Sequence, residues 1–262
     1  NQSGVLSYKQ INTFYKGKDV PALTEEPYVN NVDNYRGAMQ FEIERLRYPD
    51  TPVKDYAITW EGVATNIFKD EHFGKELNEK NFLVEDVKRL LTGVESPNDR
   101  MNIIFKFVQN KMNWNEVNDY YTDKGIVKAY SDQIGNVAEI NFILINMLKL
   151  GGIDANPVLV STIENGVPVY PTRTGFNYVI AGALVDGKLI LLDATHKYTC
   201  PNILPLNVLN WKGRLIKADG TSQEINLDPT ALSKENSTVF GKISETGKME
   251  GKMRIQRIDY VA

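Results

Sequence analysis

Apolar residues crowd one stretch of the chain more densely than any other. From Gln133 to Leu150 they fall at Val137, Ala138, Ile140, Phe142, Ile143, Leu144, Ile145, Met147, Leu148 and Leu150. Little polar surface is left beyond Glu139, Asn141, Asn146 and Lys149. Gly135-Asn136 is a start signal and Gly151-Gly152 a stop signal, so the pattern predicts one helix of about four turns. A helix apolar nearly all round is buried in a core. Two β-like runs follow, Ala155–Thr162 and Phe176–Leu184. A third, Lys188–Asp193, is expected to pair with the second across Val185-Asp186-Gly187, where Asp-Gly is a hairpin signal.

Upstream the pattern is helical. Thr59 is an N-cap for a helix to about Lys69, and Phe82–Leu91 is amphipathic. Ser96 and Pro97 open a third helix, whose Met101, Ile104, Phe105 and Val108 recur at helical spacing up to Trp114. Ile126–Gln133 reads as a short helix, and Trp211–Ile216 as a strand. Residues 1–33 read as an irregular linker with a short helix near Leu6–Phe14. In Tyr35–Tyr48, Met39, Phe41 and Ile43 alternate with Gln40, Glu42 and Glu44, which predicts a half-buried strand. After residue 224 the character changes. Two β runs around Glu245–Lys248 predict a hairpin that opens a further β domain, and residues 260–262 read as another strand. The expected organisation is therefore 1–52 as linker and last strand of a β domain, 53–224 as core, and 225–262 as the start of a second β domain. The chain reads as part of a longer protein.

The order of buried helix, strand and hairpin resembles the papain-like core of the transglutaminase superfamily. It is most similar to secreted transglutaminase-like proteins of Gram-negative bacteria that carry an extra β domain before the core. The resemblance covers roughly residues 55 to 225 and implies an α+β fold and an extracytoplasmic place, in the periplasm or cell envelope. In active relatives a Cys opens the buried helix, a His sits on the next long strand, and an Asp ends the strand after it. Here GNVAEIN puts Val137 at the Cys position, FNYVIA puts Tyr178 at the His position, and LLDAT keeps the Asp as Asp193. The resemblance thus implies a vestigial triad and a catalytically inactive module. Such a module would bind a polypeptide or glycan in the former cleft, or act as a spacer. The competing reading is a cysteine-independent hydrolase or acyltransferase with a non-standard nucleophile.

The chemistry of the residues agrees. Val137 has no nucleophilic atom, and a phenol with a pKa near 10 does not shuttle protons at neutral pH. Asp193 closes an apolar strand and needs a donor, either Tyr178 or the turn at Ala194-Thr195. His196 and Cys200 lie four apart in a Pro-bounded loop and are not placed for a dyad. His72 reads as a solvated helix end, Ser161-Thr162 as structural, and Asp70-Glu71 and Glu25-Glu26 as solvated charge. Trp114, Tyr170, Tyr178 and Trp211, with Tyr120, Tyr121 and Tyr198 nearby, are candidates for a ligand-binding groove.

Composition narrows the classes without changing the picture. The 262 residues are 42% hydrophobic and 24% charged, which suits a globular core with smaller flanking parts. A net charge of -3 gives no basic excess for nucleic acid, and two His are too few for a His-based metal site. No cofactor motif is present. The longest apolar run is far short of a membrane span. One cysteine excludes an intrachain disulfide.

Overall fold

The computed structural model describes residues 9–261 apart from 25, 28, 38, 40, 42, 44, 49, 56–58, 230 and 231. The chain divides into two compact units between residues 38 and 39. In the first unit a 3-10 turn, Val32–Tyr35, is capped by the Asn31 side chain, and its other described residues are irregular. The expected helix near Leu6–Phe14 is absent where described: Lys9–Phe14 is not helical.

The second unit opens on a two-residue pairing of β1 (Arg45–Leu46) with β2 (Lys54–Asp55). The strand expected over Tyr35–Tyr48 is otherwise missing from the described positions. Met39, Phe41 and Ile43 are exposed rather than half-buried. Alternation makes a strand only where the chain pairs with another strand, and among the described residues of this stretch that pairing is made by Arg45 and Leu46. Gln40, Glu42 and Glu44 lie outside the described residues.

Helices α1 (Trp60–Phe68), α2 (Val84–Leu90) and α3 (Pro97–Lys111) then follow. Thr59 caps α1 through the Gly62 N–H, and Ser96 caps α3 with Pro97 in its first turn. The helix expected to reach Trp114 stops at Lys111. There the chain extends into β3 (Asn113–Trp114), which runs parallel beside β4 (Ile134–Gly135). Between them α4 (Ile126–Asp132) ends on Gln133 in the left-handed conformation. β4 feeds directly into α5 (Val137–Leu150).

α5 is the axis of the core. All residues from Val137 to Leu148 are buried, polar ones included. Its start is a capping box: the Asn136 side chain accepts from the Glu139 N–H, and the Glu139 carboxylate accepts from the Asn136 N–H. α3 and α4 pack on one side of it and the sheet on the other. The sheet comprises β5 (Asp154–Val160), β6 (Tyr178–Val185), β7 (Lys188–Leu192), β8 (Lys212–Ile216) and β9 (Ser222–Asn226), all antiparallel in the order β7-β6-β5-β8-β9. Asp186 and Gly187 both take positive φ, 49° and 75°, as a tight two-residue hairpin between β6 and β7 requires. Helices segregated to one side of an antiparallel sheet make this an α+β core.

β9 carries the core sheet two residues past position 224, where the compositional change sets in. Beyond it β10 (Lys234–Ile243) and β11 (Met249–Ile258) form the expected hairpin. Every residue of the ribbon is exposed. One face carries Val239, Ile243, Met249, Met253 and Ile255, and cross-strand pairs join Val239 to Met253 and Ile243 to Met249. The strand expected at 260–262 is instead a 3-10 turn, Asp259–Val261; Ala262 lies outside the described residues. Among the described residues no helix is long and apolar enough to cross a membrane.

Candidate functional site

The start of α5 and the facing ends of β6 and β7 enclose a small polar network inside an apolar core. Val137 is the first residue of α5, Tyr178 the first of β6, and Asp193 directly follows β7. All three are fully buried. Asn141 ties helix to sheet. Its amide donates to Val179 O at 2.9 Å and to Asp193 Oδ1 at 3.2 Å, and its oxygen accepts from the Ala194 N–H at 3.0 Å. Val137 stands one turn before Asn141, and residues four apart share a helix face.

Asp193 receives four donors. Tyr178 Oη donates to Oδ2 at 2.7 Å. The Thr195 N–H and Thr195 Oγ1 donate to Oδ1 at 2.9 and 2.7 Å, beside the Asn141 amide. The Tyr178 bond and the turn cap, alternatives in the sequence, therefore coexist. Three of these bonds meet at Oδ1 and one at Oδ2, so both carboxylate oxygens are paired inside the core. Burial first, and the Asp193 carboxylate next, hold the Tyr178 phenol well above its usual value of 10.0. Tyr178 is thus a fixed neutral donor. The arrangement can hold two strand ends and a helix together.

The loop after Asp193 is stapled to the end of α3. The Gln109 amide donates to His196 O, Thr199 O and Thr199 Oγ1 at 2.8, 3.0 and 2.8 Å. Thr199 Oγ1 lies 2.6 Å from Asp193 O, to which it donates. The Lys197 ammonium caps the helix end through Gln109 O and Met112 O. His196 packs its ring on Trp114, with centroids 5.1 Å apart, whereas Cys200 is exposed and bridges to Ile203. The two face different neighbours.

The remaining candidates scatter. Ser161 Oγ donates to Gly166 O and accepts from Asn165 at 2.9 Å, while Thr162 is bonded to Asn177; both are turn hydroxyls. His72 is half exposed beside Glu71. Glu26 is exposed, and Glu25 lies outside the described residues. Of the groove aromatics, Tyr178 is sealed, Trp114 is half-buried, and Trp211 is exposed just before β8. Tyr170 borders a cavity of about 350 Å³ with Phe41, Asn165, Thr172 and Thr174 among its walls. Tyr120 is buried and donates to Arg173 O at 2.7 Å, Tyr121 is half-buried against it, and Tyr198 is exposed. Among the described residues no three His, Cys, Asp or Glu side chains converge as a metal site needs.

Asn141 and Gln109 were not singled out by sequence reasoning, whereas Thr195 belongs to the turn expected to serve Asp193. Asn141 carried a signal, a lone amide in a nearly all-apolar helix one turn after Val137. Gln109 carried none, because its partners in the loop after Asp193 are brought close only by the fold.

No family model matches the chain, and no curated protein does. Two solved structures are similar over 73% of it. One, described as a "putative protease" from Parabacteroides distasonis ATCC 8503, is 17% identical with a TM-score of 0.49. The other, a "putative cysteine protease" from Cytophaga hutchinsonii, is 13% identical with a TM-score of 0.37. This chain spans 36% of the first protein's length and 57% of the second's.

Proposed function

We propose that residues 53–224 form a catalytically silent, papain-like core of the transglutaminase type, working outside the cytoplasm as a spacer or binding module. Its observation is the buried Tyr178–Asp193 bond beside an α5 that starts with Val137. In the resemblance these positions belong to the imidazole, the carboxylate and the thiol. A phenol held neutral cannot activate a nucleophile, and Val137 offers none. With Val137, Tyr178 and Asp193 fully covered, the former triad is packing, and the spacer role takes precedence there. A polypeptide or glycan would find its place at Tyr170, whose cavity has aromatic and short polar walls. In the same reading β10 and β11 begin a β domain whose further strands would cover their apolar face.

The test is turnover. The purified protein, and its Cys200→Ser variant, should incorporate no amine into a glutamine peptide and hydrolyse no peptide substrate. Turnover surviving Cys200→Ser would establish the competing reading, a hydrolase or acyltransferase with a non-standard nucleophile.

A further inference from the structure

Two N–H donors converge on one carbonyl at the start of α5. The Val137 N–H reaches Val117 O at 3.3 Å, and the Trp114 indole N–H reaches the same oxygen at 3.1 Å. First-turn N–H groups have no acceptor within their own helix, so an oxygen must come from elsewhere. Two donors aimed at one carbonyl oxygen form a cradle suited to an acyl oxygen. Here the oxygen is the chain's own. We propose that the Trp114–Val117 turn is a resident plug, which lays its own main-chain carbonyl in the two-donor cradle and closes this end of α5 to an acyl group from outside. The inference deepens the silent reading above, since this is the end where that reading sets the lost thiol.

The turn is built to stay. It is clipped beside β4 by Asn113 N–H to Gln133 O at 2.9 Å and Asn115 N–H to Gly135 O at 3.0 Å. Asn115 Oδ1 accepts from the Val117 N–H at 3.1 Å, which folds the turn back on itself. Glu116 takes a φ of 67°, a conformation L-residues adopt only when neighbouring contacts impose it. Farther along, Tyr121 O accepts from the Asn136 amide at 2.8 Å, and the Lys124 N–H donates to Glu139 at 2.7 Å. Asn115 to Asn118 are themselves exposed. The segment is therefore a cover over the helix start, with its outer surface in solvent and a carbonyl turned inward.

Amide hydrogen exchange on the full chain reads the cradle directly. The Val137 amide should be protected, and Trp114→Phe, which keeps a ring but removes the indole donor, should speed its exchange about tenfold, the worth of one hydrogen bond. Amides in the middle of α5 should not change. Val137→Cys in a Cys200→Ser background gives a second reading: iodoacetamide should label the folded thiol at least about tenfold more slowly than the same chain in denaturant. A wild-type Val137 amide exchanging like an unstructured peptide, or a thiol labelled at the denatured rate, overturns the plug, and needs no Trp114 variant to fold. Unchanged exchange in Trp114→Phe overturns the two-donor cradle. Turnover by a wild type whose amide is protected would sink the silent reading alone; a free amide without turnover would sink the plug alone.

Discussion

Tyr178 shows what a single side chain does when it is buried beside a carboxylate. Its hydroxyl is the one donor to Asp193 Oδ2, so Tyr178→Phe leaves that lone-pair face dry and unpaired. The expected loss is about 1–3 kcal/mol in urea unfolding, the ordinary cost of a stranded buried acceptor. The same geometry fixes a pH dependence. Tyr178 has a folded pKa raised far above 10, as do the buried Tyr120 and half-buried Tyr130, with burial the first cause in each. A raised folded pKa gives stability that is whole below the unfolded value, about 10, and is lost as pH climbs above it. Stability should therefore be flat from pH 7 to 9 and fall above about 10, with a shallower fall in Tyr178→Phe. An equal alkaline slope in the variant would mean that Tyr178 is solvated.

At the scale of elements, local signals decided most outcomes. Ser96-Pro97 and Thr59 start the helices they promised, and Asp186-Gly187 turns the hairpin, because caps and positive-φ turns act through neighbours in sequence. What escaped depends on distant partners. β9 has one buried residue, Ile225, and reads as polar loop until β8 supplies its hydrogen bonds. Conversely Met39, Phe41 and Ile43 alternate without making a strand. The α5 start was legible, yet its Asn136–Glu139 box holds more than a cap. Asn136 also donates to Tyr121 O, and Glu139 also receives the Lys124 N–H. Asn136→Ala should therefore cost about 2 kcal/mol, the upper end for an N-cap, in equilibrium unfolding. A cost below about 0.5 kcal/mol would show that the 113–124 segment does not depend on it.

Across the whole molecule the helices and the five-stranded sheet share one core, and the ribbon of β10 and β11 takes little part in it. Its tail touches the body through Tyr260, whose hydroxyl donates to Asn202 O at 3.2 Å. Removing residues 232–262 should shift the melting temperature of the remainder by less than about 3 °C, under the worth of about 1 kcal/mol. A larger fall would make the hairpin part of the core. The central claim at this scale is that the fold still holds a Cys-His-Asp geometry with two members replaced. Restoring both tests it: Val137→Cys with Tyr178→His in a Cys200→Ser background, the thiol titrated by its ultraviolet thiolate absorbance, which needs no access from solvent. If Tyr178 stands at the imidazole position, a charged His held by Asp193 and the α5 N-terminus should draw the thiol pKa below the free value of about 8.5, and further than Val137→Cys alone. A thiol pKa in the double variant no lower than in Val137→Cys would contradict the correspondence of Val137, Tyr178 and Asp193 with a lost triad.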